Sequence, residues 1–164
     1  MKIDLHEDYL RSIMFGFQDG LVSTTGVVAG IAAGVHDKPI VILASLVAVS
    51  VEASSMATGQ YSSEKAVHQM DKTGKHTDNL VLGAVLMFFS YFLAGMLPIF
   101  PILVFDLNIA IFFSIAFAFG GLFLLGFIKG FIVKTPPLRS AIELFIIGAL
   151  STFIGLAVGH FLKI

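Results

Sequence analysis

Two carboxylates stand inside stretches that are otherwise apolar. Asp19 lies in residues 15–30, FGFQDGLVSTTGVVAG, among three hydroxyls and four glycines, and Glu52 lies in the next long apolar segment. An ionisable group at the centre of a lipid-crossing helix costs roughly 2.5–3.5 kcal/mol on insertion scales, so each acid needs a compensating role. Glu52, Met56, Gln60 and Ser63 are four, four and three residues apart, which puts them on one helix face. At about 1.5 Å rise per residue, Asp19 and Glu52 lie at similar depth, within about one turn of each other. Hard oxygen ligands beside one thioether suit a divalent first-row metal such as Fe²⁺ or Mn²⁺ better than Na⁺ or K⁺. A carboxylate in a partly dry site also exchanges a proton for a cation. The expected metal-facing set is therefore Asp19, Glu52, Met56 and Gln60, with Asp19 and Glu52 coupling protons.

Gly16, Asp19, Ser23, Gly26 and Gly30 also follow steps of three or four residues and are expected on one face. Small residues there let another backbone approach closely, and Gly26, Gly30 and Gly34 form a glycine zipper of that kind. The plainer reading makes Asp19 a hydrogen-bonding group at such a helix contact, in a membrane assembly or metal-sensing subunit that transports nothing. A passive cation channel is a further alternative. Arg139 and Glu143 are an i, i+4 pair expected to form an interfacial salt bridge. His160 is expected at an interface, and His68, Asp71, His76 and Asp78 in a solvated loop. No nucleophile–base arrangement and no phosphate-binding glycine loop is present, so no enzyme is indicated and no tightly bound cofactor is expected.

The elements that position these groups follow from composition. Of 164 residues 57% are apolar and 13% charged, with a mean hydropathy of +0.94. A soluble domain carries about 25% charged residues, so the chain is an all-α membrane protein embedded in the lipid bilayer. Five segments are long enough to cross, at about 20 residues each: 9–34, 39–62, 79–105, 107–129 and 138–162. They form a single transmembrane domain over residues 1–164. Pro98 and Pro101 are expected to stop regular helix near the end of the third. Eight basic residues fall on one side (Lys2, Arg11, Lys65, Lys72, Lys75, Lys129, Lys134 and Arg139) and two, Lys38 and Lys163, on the other. The N-terminus is thus expected in the cytoplasm and the C-terminus outside. The first twelve residues carry Asp4, Glu7 and Asp8 and no apolar run, so no cleavable signal or transit peptide is expected. A net charge of −1 without a basic cluster argues against a nucleic-acid partner. Absent cysteine excludes thiolate metal sites and disulfides.

FGFQDGLVSTTGVVAG, followed by SSMATGQYSSEKA at residues 54–66, resembles the vacuolar iron transporter family. The resemblance extends over nearly the whole chain. It implies a homodimeric exporter of Fe²⁺, in some members Mn²⁺, working against protons, with the route near an interface formed by the first spans. By motif position Asp19 corresponds to the acid of the DGL element and Met56 to the methionine of the SM element. Gln60, before Tyr61, stands where prokaryotic relatives carry Glu in Gly-Glu-Tyr. Plant members place a glutamate two turns before the methionine; that position here is Ala48, and Glu52 stands one turn before Met56. The stretch from Ser62 to Asp78 is too short for the acidic metal-collecting helices of vacuolar members. The implied form is minimal, and a prokaryotic cytoplasmic membrane is its expected location.

Overall fold

The computed structural model describes residues 7–71 and 79–163, all of its regular structure helical. The helices are α1 (Glu7–Gly34), α2 (Lys38–Met70), α3 (Leu80–Val104), α4 (Leu107–Val133) and α5 (Pro137–Phe161). Local chemistry sets their ends. The Asp37 carboxylate accepts the Ile40 amide at 3.2 Å, and the Asn79 side chain accepts the Val81 and Leu82 amides at 3.0 and 3.1 Å. Lys134 takes the left-handed conformation (φ 58°) that lets the Thr135 amide turn back to the Gly130 carbonyl at 3.0 Å and end α4. Pro137 opens α5, where a missing N–H leaves nothing unpaired.

Helices α2 to α5 are each long and apolar enough to cross a membrane. Helix α1 has 28 residues, more than the ~20 a crossing needs, but its aspartate, hydroxyls and glycines keep it out of that apolar set. Helix α1 touches all four others. Large apolar side chains such as Phe112, Phe131 and Phe153 point outward at 64–70% exposure, while Gly16, Gly20, Thr24, Thr25 and Gly26 are buried. That distribution reverses a soluble fold and suits lipid as the surrounding medium.

Glycine sets the closeness of the central contacts. A Cβ placed on Gly30 would lie 2.7 Å from the Gly155 carbonyl oxygen, and one on Gly26 2.8 Å from the Ser151 hydroxyl. Gly155 and Gly159 of α5 return the contact against the Gly26 and Gly30 carbonyls. Gly16 and Gly20 instead meet the Met87 and Tyr91 carbonyls of α3. The stripe expected on one face therefore serves two neighbours. Its spacing repeats every seven residues, and such a stripe drifts by about 20° per heptad around a straight helix. Helix α3 takes its first half and α5 its second.

Two boundaries differ from the sequence expectation. Helix α2 runs to Met70 rather than ending at residue 62, so His68 is helical and Asp71 supplies the C-terminal cap. Hydropathy falls after Tyr61, but SSEKAVHQM contains no helix breaker, and hydropathy reports the medium rather than the helix. Residues 72–78, with Lys72, Lys75, His76 and Asp78, lie outside the described residues, as do Lys2 and Asp4. Helix α3 also continues through Pro98 and Pro101, both buried, to Val104. The Ser114 hydroxyl donates to the Pro98 carbonyl at 2.6 Å, and the Phe105 amide to the Pro101 carbonyl at 2.9 Å. The carbonyls that the missing proline N–H groups leave free are those of Ala94 and Leu97, one turn earlier, and α3 keeps its helix past both.

The interlock yields a test. Gly155→Ala forces a methyl into the Gly26 carbonyl and should lower the unfolding free energy in detergent by roughly 1–3 kcal/mol. Gly120 has nothing within 4 Å of an added Cβ, so Gly120→Ala should leave the melting midpoint unchanged or slightly raised. Equal effects from both substitutions would contradict the interlock.

Candidate functional site

Three helices contribute one polar cluster. The Ser23 hydroxyl of α1 donates to Glu52 Oε2 of α2 at 2.9 Å. The Tyr91 hydroxyl of α3 donates to the same oxygen and also hydrogen-bonds Ser23. Tyr91 is 1% exposed. Its ring belongs to an apolar cluster with Ala53, Val49 and Val28, against which Met56 packs.

From Ser23 and Glu52 toward the start of α1 the α1–α2 seam is polar, whereas beyond them Val28, Ile31 and Ala32 of α1 share an apolar cluster with Val41, Ile42 and Val49 of α2. Towards the start of α1, the Gln60 amide donates to the Ser12 hydroxyl at 2.9 Å and to Glu64 at 3.4 Å, and the Arg11 guanidinium pairs with Glu64. Twelve residues separate Arg11 from Ser23 (23 − 11), and twelve separate Glu52 from Glu64 (64 − 52), so the two bonded pairs fix one antiparallel register. In that register Asp19, four residues before Ser23, comes level with Met56, four after Glu52. One rung, about 6 Å along the axis, separates this level from the Ser23–Glu52 pair.

Among the described residues no basic side chain pairs with Asp19 or Glu52. The two ion pairs at the seam both belong to Arg11, with Glu64 and, at 3.3 Å, with Asp8. A carboxylate withdrawn from water without a cationic partner must be neutralised by a proton or a bound cation. The Glu52 carboxylate and the Ser23 and Tyr91 hydroxyls gather oxygen donors, the ligand type that hard divalent cations take, at one point of the α1–α2 seam.

The remaining expected residues separate. Gln60 shares the Glu52 face of α2 but is held two turns away, bonded to Ser12 and Glu64. Gly16 packs on α3, and Gly26 and Gly30 on α5. Tyr61 is turned away from the seam, in an indentation between α2 and α3, with the Lys65 ammonium 5.9 Å from its ring centroid. Arg139 and Glu143 are exposed and form no ion pair; they border a shallow depression with Lys129. His160 is exposed, edge-on to Phe161. No group of three His, Cys, Asp or Glu that could close around a metal occurs among the described residues.

The VIT family model matches residues 10–79 and 66–160. The chain belongs to the VIT family, the vacuolar iron transporters. The two matched stretches meet at the α2–α3 connection, where the motif comparison makes this chain shorter than vacuolar members. No curated protein matches the chain. Membership of the VIT family makes this an integral membrane protein of a metal-transport family rather than of an enzyme family.

Sequence reasoning missed Tyr91 and Glu64. Tyr91 is the one tyrosine of a phenylalanine-rich span, and a buried phenol generally requires a hydrogen-bond partner, which is a usable signal. Glu64 lies beyond the apolar run of residues 39–62, so hydropathy gives no sign that it is helical and buried. The Tyr91–Glu52 contact is testable by a double-mutant cycle. Tyr91→Phe and Glu52→Gln, alone and together, should give a coupling of roughly 0.5–2 kcal/mol in detergent unfolding, the range for contacting polar groups. Additive losses would rule out the contact.

Proposed function

We propose that this chain exports Fe²⁺ or Mn²⁺ from the cytosol in exchange for protons, as a homodimer of five-span protomers in a prokaryotic cytoplasmic membrane. The N-terminus is cytoplasmic and the C-terminus outside. The observation that carries the reading is the pair Asp19 and Glu52 on a polar helix seam with no basic partner. Asp19 and Glu52 hold the metal, Met56 biases the site toward transition metals, and the Ser23 and Tyr91 hydroxyls orient Glu52. Gln60 lies along the route between the cytoplasmic end and this level.

In this reading the Asp19 and Glu52 carboxylates release protons as the cation binds and take them up as it leaves. A homodimer is supported by the outer face of α2. There Ser50, Ser54, Ser55, Thr58, Gly59 and Ser62 are all exposed. The hydroxyls of Ser50, Ser54 and Thr58 bond back to the Leu46, Ser50 and Ser54 carbonyls at 2.7, 2.8 and 3.0 Å. The result is a small-residue surface on which a second helix packs better than lipid does.

Purified protein in liposomes should carry Mn²⁺ or Fe²⁺ across the membrane when a pH gradient is imposed. Asp19→Asn and Glu52→Gln should each reduce the initial rate by at least about tenfold, the scale on which losing a metal-site group acts. Met56→Leu preserves side-chain volume and should retain flux while weakening the preference for Mn²⁺ over Mg²⁺. Unchanged uptake in Asp19→Asn defeats the assignment. Flux indifferent to the proton gradient favours a passive channel, and absent flux with weakened dimerisation favours a non-transporting assembly.

A further inference from the structure

Below the Asp19–Met56 level the seam is closed by groups with no part in holding metal there. Glu64 is 6% exposed, an acid within the α1–α2 contact that is otherwise costly to bury. Its partners are the Arg11 guanidinium and the Gln60 amide, and Gln60 in turn holds buried Ser12. Eight residues separate Arg11 from Asp19 (19 − 11), and eight separate Met56 from Glu64 (64 − 56). The ion pair therefore sits about 12 Å along the helix axis from the metal level, toward the start of α1.

The two partners differ in freedom. The Arg11 side chain is 56% exposed and that of Glu64 8%. The same Arg11 nitrogen that meets Glu64 also lies 3.3 Å from Asp8 Oδ1, one turn back on its own helix. Arg11 can thus leave Glu64 without becoming unpaired, whereas Glu64 cannot lose Arg11 without acquiring a proton or another cation. A guanidinium at a buried carboxylate stands where an incoming cation would bind, and only one of them can neutralise it.

We propose that the Arg11–Glu64 pair is a cation-displaceable latch closing the cytoplasmic end of the α1–α2 seam. A divalent cation takes Arg11's place on Glu64, Arg11 is held by Asp8, and Gln60 is released from Glu64, which opens the way to Ser12 and the level above. Arg11 and Glu64 are gating and positioning residues rather than members of the central site. The inference rests on the transport reading for the identity of the displacing ion.

The chain has no cysteine, so Ser12→Cys places a single thiol behind the latch in the full-length protein, with Gln60→Cys as a second reporter. A water-soluble thiol reagent should label either slowly. Arg11→Gln should raise the labelling rate by roughly tenfold, equivalent to about 1.4 kcal/mol. Arg11→Glu combined with Glu64→Arg should restore slow labelling. Mn²⁺ added to the latch-intact reporter should also raise the rate. Equal labelling of Arg11→Gln and the latch-intact protein, both monodisperse, overturns the proposal. So does Mn²⁺ uptake proceeding while Mn²⁺ leaves the labelling rate unchanged. Labelling that responds to Arg11→Gln in protein that moves no metal refutes the transport reading and leaves the Arg11–Glu64 seal standing.

Discussion

Asp19 and Glu52 are acids half-buried between helices and, among the described residues, no basic side chain pairs with either; the arrangement of the helices answers to that constraint. Lipid offers such groups nothing. The helix that carries Asp19 must therefore be surrounded by protein, and α1 is the helix that meets all four others. Glu52 lies on a helix nearer the edge, so hydroxyls reach it from two neighbours, Ser23 on α1 and Tyr91 on α3. Hydroxyls satisfy the lone pairs of a carboxylate without cancelling its charge. An arginine or lysine in their place would have competed with a cation for that charge.

The central helix is held by a different kind of contact on each side. Toward α3 and α5, glycines bring backbones together until one added carbon would collide with a carbonyl oxygen. Such contacts gain their stability from close van der Waals approach and lose it steeply with separation. Toward α2 the bonded pairs at the seam are Ser23 with Glu52, Ser12 with Gln60 and Arg11 with Glu64. These are bonds that water and cations can replace one for one. The greasy packing of α2 falls mainly on α3, through Val41, Val49 and Ala53.

The helices are legible in the sequence because membrane crossing demands about 20 apolar residues, and runs of that length have no other common explanation. The same physics makes Asp19 and Glu52 conspicuous, since each is polar where polarity is expensive. What fails to register is whatever hydropathy ignores. Glu64 follows the apolar run and so looks like loop, although helix propensity carries α2 another two turns past it. The prolines of α3 look like a stop, because a sequence does not reveal that both will be buried within the bundle. Tyr91 is hidden by its setting. Nothing local says which acid its hydroxyl will find thirty-nine residues away.

The partition of contacts around α1 also decides where the bundle yields. Separating α1 from α5 leaves glycine surfaces that no other element can fill, since the Gly26, Gly30, Gly155 and Gly159 backbones fit each other and little else. Separating α1 from α2 exposes hydroxyls, an amide and carboxylates that a hydrated cation can satisfy as well as the protein does. An opening that admits charged cargo must cost less in the presence of that cargo than in its absence, and the α1–α2 seam meets that condition while the glycine contacts do not. The polar residues of α1 and α2 are therefore more than tolerated exceptions in an apolar chain. They mark the face of α1 whose bonds to α2 water or a cation can replace, while α2 keeps its apolar packing on α3.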